Sequence, residues 1–228
     1  MRAYLIFPIL AGLVIQACFI LVEHKKRYVP AVILKGSASF FFVLIGLLAF
    51  LPRTSDSLCK NVFIGLALGL LGDVLLNLRF VFEKNGQKIF LAGIAAFLAG
   101  HILYLAALIP HAVRLWLCVA VGAVLAAALL AYIFATMEVK TSFKAFGILY
   151  LGAVIVMTVI AIGIAIAKPQ ASSLLYAVGA VLFTASDIVL IFNTFSGKET
   201  KFGLRITNLS LYYVGQLLIA LSLHLLPL

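Results

Sequence analysis

The sequence predicts an all-α polytopic membrane protein, a bundle of eight transmembrane helices in a single transmembrane domain. Three observations predict it. Of the 228 residues, 65% are hydrophobic and only 11% are charged, whereas a soluble domain carries about a quarter charged residues. The charges gather in short clusters. Between the clusters run eight apolar stretches of roughly 20 residues, the length that crosses a hydrocarbon layer.

The elements follow in order. The first span covers 3–22 and stops at EHKKRYVP. Its apolar run has no convincing small-residue cleavage site, so it reads as a retained helix and not as a signal peptide. The second, 31–51, starts behind Pro30 and ends at PRTSDSLCK. The third, 61–80, holds GLALGLLGDVLLNL, where Gly65 and Gly69 form a small-xxx-small pair suited to close helix approach. The fourth, 89–109, lies between EKNGQK and PHAVR. The fifth, 115–135, contains the uniformly apolar AVGAVLAAALLAY. MEVKTSFK, KPQ and SGKETKFGLR then separate 145–167, 171–194 and 206–226. All the separators are short, which leaves no room for a soluble domain.

Eight spans bring both termini to one side. Of the 17 basic residues, Arg2, Arg53, Lys60, Arg114 and Lys168 fall on the side of the termini and the remaining twelve on the other. Lys and Arg accumulate in cytoplasmic loops, so the bias puts the termini outside and the basic loops inside, as in a bacterial inner membrane. The net charge of +10 thus reads as topology and contact with membrane lipid, with no nucleic-acid partner. No obligate protein partner is evident.

Two acids break the pattern. Five of the seven acidic residues (Glu23, Asp56, Glu83, Glu138 and Glu199) lie in the separators, but Asp73 and Asp187 lie inside apolar spans. A charge at the centre of a spanning helix costs roughly 2.5–3.5 kcal/mol on insertion scales, so the pair marks a candidate active site. LLGDVLL and TASDIVL occupy the third span of each half, which suggests two parallel four-helix repeats. Each aspartate lies about seven residues before the cytoplasmic end of its span, hence on the order of 10 Å deep. The plain alternative is a structural ion pair with Lys35 or another cation.

Other polar residues share that depth. Asn77 follows Asp73 by one turn, on the same helix face. Asn208, Tyr212 and Gln216 recur every four residues on the eighth span, with Tyr213 beside them. His101 and Tyr104 sit together on the fourth, and Asn193 lies near the end of the seventh. The candidate substrate-binding set is Lys35, Asn77, His101, Tyr104, Tyr212 and Gln216. Each has a structural alternative: lysine snorkelling to the headgroups, tyrosines in an interfacial belt, asparagines and histidine as interhelical bonds. The four histidines are scattered and the three cysteines show no metal spacing, so no metal or other cofactor is expected.

Four blocks in this order resemble the YhhN family of lysoplasmalogenases: GLALGLLGDVLL at 65–76, GIAAFLAGHILY at 93–104, GAVLFTASD at 179–187 and LYYVGQLLI at 211–219. One departure is Gly36 after Lys35, where the family often has Lys-Pro. The resemblance implies hydrolysis of the vinyl ether bond of a lysoplasmalogen, a lysophospholipid, to a fatty aldehyde and a glycerophospho-alcohol. Two carboxyls suit that chemistry. One, protonated, donates to the β-carbon to give an oxocarbenium ion, and the other, ionised, stabilises the cation and activates water. Asp73 and Asp187 are the expected pair, with His101 and Tyr104 holding water or the glycerol hydroxyl and Lys35 and Tyr212 receiving the phosphate. The alternative class is a proton- or cation-coupled transporter using the same acids.

Overall fold

The computed structural model describes residues 3–137, 141–195 and 201–226, with the side chains of 141–143 outside that description. Eight long helices make up nearly all of it: α1 Ile6–His24, α2 Tyr28–Phe50, α3 Ser57–Leu78, α4 Gly86–Leu108, α5 Leu115–Thr136, α6 Thr141–Ala167, α7 Ala171–Phe195 and α8 Phe202–Ser222. All eight are long and apolar enough to cross a membrane.

α2, α3, α4, α6 and α8 start three or four residues earlier than hydropathy alone suggests, and polar residues help build such first turns. The Asp56 carboxylate caps α3 by accepting from the backbone N–H groups of Leu58 at 2.8 Å and Cys59 at 3.3 Å, which satisfies donors that the helix itself leaves open. Pro30 lies in the first turn of α2, where a missing N–H costs nothing. The earlier start of α2 carries Lys35 two turns into the helix and away from the interface.

Neighbouring helices run antiparallel. α8 packs on α7, α2, α1 and α3, while α5 lies outside against α6. The pairings α1–α2, α2–α3, α3–α4 and α2–α8 recur as α5–α6, α6–α7, α7–α8 and α6–α4 when helices of one half are exchanged for those of the other, α1 for α5 and so on. The contacts α1–α8 and α3–α8 have no counterpart of comparable extent in the other half.

Glycines set the closest crossings. A Cβ on Gly65 would lie 3.1 Å from the Gly100 carbonyl oxygen, and one on Gly179 would lie 2.8 Å from that of Gly215. Backbones touch there, which suits membrane helices that associate through packing more than through hydrophobic burial. Each glycine precedes an acid by eight residues, Gly65 before Asp73 and Gly179 before Asp187. The two halves therefore hold their acids in equivalent positions relative to a fixed helix crossing.

Candidate functional site

A cavity of about 150 Å³ opens among α2 to α8. Both Asp73 and Asp187 line it, with Lys35, Asn77, Tyr150, Ser186, Asn208 and Tyr212. Leu130, Ile133, Phe134, Leu151 and Ile191 form an apolar wall. Arg79, just past the end of α3, and Arg205, in the first turn of α8, line it as well. Both arginines lie at the end of the bundle where α3 and α7 finish and α4 and α8 begin. Measured along their helices, Asp73 and Asp187 are roughly 8 and 12 Å in from that end.

The two carboxyls have unlike surroundings. Asp73 is met by a cation and two hydroxyls. Lys35 Nζ lies 3.4 Å from its Oδ1. Ser39 Oγ donates to Oδ2, and Tyr212 O–H donates to the same oxygen at 2.7 Å. All three donors come from helices that pack against α3, so Asp73 is fixed from two sides. Asp187 accepts from the phenol of Tyr150 on α6 at 2.7 Å, and among the described residues no cation forms an ion pair with it. Each acid therefore keeps its own set of partners, and no hydrogen bond joins the two carboxyls.

Lys35 does not snorkel. Its side chain is 1% exposed, its Nζ donates to Gln16 Oε1 at 3.4 Å, and it sits 4.4 Å from the centre of the Tyr212 ring. The ring face, the amide and the carboxylate together replace the water that the ammonium loses. Gln16 is itself anchored, donating from Nε2 to the Leu209 carbonyl at 3.3 Å. Tyr212 and Tyr213 are both buried, so neither belongs to an interfacial belt; Tyr213 O–H donates to the Ala38 carbonyl at 2.8 Å.

The other expected residues divide into two groups. Asn77 lines the cavity. Its Nδ2 donates to the Asp73 backbone carbonyl at 2.9 Å, and its buried Oδ1 has no partner. His101, Tyr104 and Gln216 lie behind the wall. Tyr104 O–H donates to Gln216 Oε1 at 3.0 Å. His101 Nδ1 bonds the Phe97 carbonyl at 2.8 Å, and its ring stands edge-on to Tyr150 and Phe183, both of which line the cavity. These three buttress the site and do not line it. Asn193 accepts from the Lys201 backbone N–H at 2.9 Å, tying α7 to the start of α8. Asn208 donates to the Ser186 carbonyl and hydroxyl, which pins α8 beside Asp187.

Sequence reasoning passes over Ser39, Tyr150, Gln16, Arg79 and Arg205. Ser39 carries a readable signal, since it follows Lys35 by one helical turn. Gln16 is an amide inside an apolar run. Tyr150 in GILYLGAV and the two arginines in basic loops have ordinary membrane-protein explanations, and only the fold shows what they face. Among the described residues no cluster of three His, Cys, Asp or Glu side chains is assembled.

No curated protein and no solved structure gives a significant match. The YhhN family model matches residues 31–223, which include both acids, all six expected binding residues and seven of the eight helices from α2 onward. The chain belongs to the YhhN family.

Proposed function

We propose that the protein is an intramembrane hydrolase that cleaves the vinyl ether bond of lysoplasmalogens, releasing a fatty aldehyde and glycerophosphoethanolamine or glycerophosphocholine. One observation carries this reading. Two buried carboxyls of unlike surroundings line one cavity that is walled by apolar side chains and reaches two arginines at a helix end.

Their unlike partners divide the roles. Asp73, beside the Lys35 ammonium and two hydroxyl donors, is assigned the role of base. Asp187, with no counter-charge in an apolar wall, arrives protonated and serves as the acid. Its proton passes to the β-carbon of the vinyl ether while the π electrons leave the α-carbon positive and the ether oxygen shares the charge. Asp73 faces that cation across the cavity and takes a proton from the water that adds to the α-carbon. The resulting hemiacetal collapses as Asp73 returns its proton to the departing glyceryl oxygen. The hemiacetal hydroxyl gives its proton to Asp187, and both acids are restored. The scheme parallels glycosidases, which place two carboxyls around an oxocarbenium-like state. Asn77 Oδ1, an acceptor without a partner, suits the free glycerol hydroxyl of a lyso lipid. With the basic loops facing the cytoplasm, substrate enters from the inner leaflet and its chain lies along the apolar wall.

The test is to incubate purified protein with lysoplasmenyl lipid and with acyl lysophospholipid. Aldehyde is expected from the first and no fatty acid from the second. Asp73→Asn and Asp187→Asn are each expected to lower aldehyde release at least about a thousand-fold while keeping the fold, as loss of a group acting on the reacting atoms does. Full activity in both variants would overturn the reading.

A further inference from the structure

The mouth of the cavity holds an unbalanced guanidinium. Arg205 is paired with Glu23, donating from Nε at 3.0 Å and again from Nη2. Arg79 has no such partner. Its guanidinium lies between two ring faces, 4.6 Å from the centre of Phe80 and 4.3 Å from that of Phe90. Its Nε is buried without a hydrogen-bond acceptor, and among the described residues no carboxylate forms an ion pair with it. Burial, with Arg205 close by, pulls its pKa down to about 10, so it is charged at neutral pH.

Among the described residues, Arg79 and Arg205 line this part of the cavity and only Glu23 pairs with either, which leaves an excess of positive charge there. Phe80 and Phe90 hold the Arg79 plane in place, so its donors are pre-ordered and little rotamer freedom remains to be lost on binding. A tetrahedral oxyanion supplies several acceptors at once and turns the repulsion between the two arginines into shared attraction. Lys35 and Tyr212 are already engaged with Asp73, whereas Arg79 has no carboxylate partner among the described residues.

We propose that Arg79, assisted by Arg205, binds the phosphate of the substrate at the cavity mouth and thereby sets the depth at which the rest of the lipid enters. The identity of that substrate rests on the reading above, but phosphate binding does not require turnover. The geometry agrees with the chemistry. A glycerophospho headgroup held at the helix end puts the carbon attached to the glycerol oxygen a few bonds deeper, toward the two acids.

The experiment uses saturated 1-O-alkyl lysophospholipid, which carries the same headgroup and a bond that cannot be cleaved this way. Its dissociation constant is measured on detergent-solubilised wild type, Arg79→Gln and Arg79→Lys, beside phosphate-free 1-O-alkylglycerol. Arg79→Gln is expected to weaken the phospholipid about ten- to hundred-fold, the loss of a hydrogen bond to a charged group. Alkylglycerol binding stays within about two-fold, and Arg79→Lys recovers part of the loss. Equal weakening of both lipids, or no change in either, overturns the assignment. Inorganic phosphate at millimolar concentration separates the sources. Competition with the alkyl probe in wild type but not in Arg79→Gln shows a site for the phosphate group alone, and absence of competition, with the Arg79 effect intact, shows one that needs the attached lipid. Wild-type protein that binds the alkyl probe in this way yet releases no aldehyde from lysoplasmenyl lipid removes the hydrolase reading and leaves the phosphate site standing.

Discussion

Removing the Lys35 ammonium tests how Asp73 is held. Lys35→Met keeps a long apolar stem of similar size but deletes the charge 3.4 Å from Asp73 Oδ1. At that separation two unit charges attract by about 5 kcal/mol with an effective dielectric of about 20. The cost of burying both charges offsets much of this, so the pair as a whole contributes little net stability. Breaking it from one side is different. The orphaned charge remains buried among ring faces and apolar side chains, and such losses run to about 3–5 kcal/mol. Asp73→Asn should cost a comparable amount by stranding Lys35. The double variant has no stranded charge and keeps an amide able to meet Ser39 and Tyr212. It should therefore be more stable than the sum of the single losses implies, with a coupling of about 2 kcal/mol. Unfolding of the four proteins in mixed micelles at fixed pH gives the cycle. Strict additivity would refute the ion pair and with it the assignment of Asp73 as the base.

Two further predictions rest on single features. Tyr150→Phe removes the hydroxyl that donates to Asp187 and should lower kcat about ten-fold with little change in KM, a loss of roughly 1–1.5 kcal/mol, read in steady-state aldehyde release. Gly179→Ala places a methyl 2.8 Å from the Gly215 carbonyl oxygen and 3.0 Å from Ile219 Cγ1. It should lower stability by about 1–3 kcal/mol as α7 and α8 are pushed apart, whereas Gly152→Ala, with nothing within 4 Å of the added carbon, should be neutral or stabilising in the same thermal unfolding assay.

The fold was legible because a bilayer constrains chains severely: backbone groups must be satisfied internally, so apolar runs of the right length become helices. Eight runs became eight helices, and errors were confined to their ends, where polar residues such as Asp56 and Tyr28 start a helix before hydropathy rises. The acids were legible for the same reason, since Asp73 and Asp187 stand out against apolar surroundings. Their partners were not. Hydropathy treats Tyr150 as one aromatic among many and counts Arg79 and Arg205 as loop charges, and what each faces depends on how α6, α3 and α8 turn about their axes. Lys35 shows the limit most clearly. A lysine thought to lie near a helix end has an easy route to water, and it took the true start of α2, together with Gln16 on α1, to show that this one is enclosed. His101 and Tyr104 stand out by polarity at depth, and the fold places them behind the cavity, against Gln216, Tyr150 and Phe183.

The central claim is that a buried acid protonates carbon. The most direct measurement is the mass of the aldehyde that purified protein releases from lysoplasmenyl lipid in D2O, trapped at once by reduction. The account predicts one deuterium on the carbon next to the former aldehyde carbon, and no aldehyde above background from Asp187→Asn. Aldehyde without that deuterium, or undiminished release from Asp187→Asn, would contradict it.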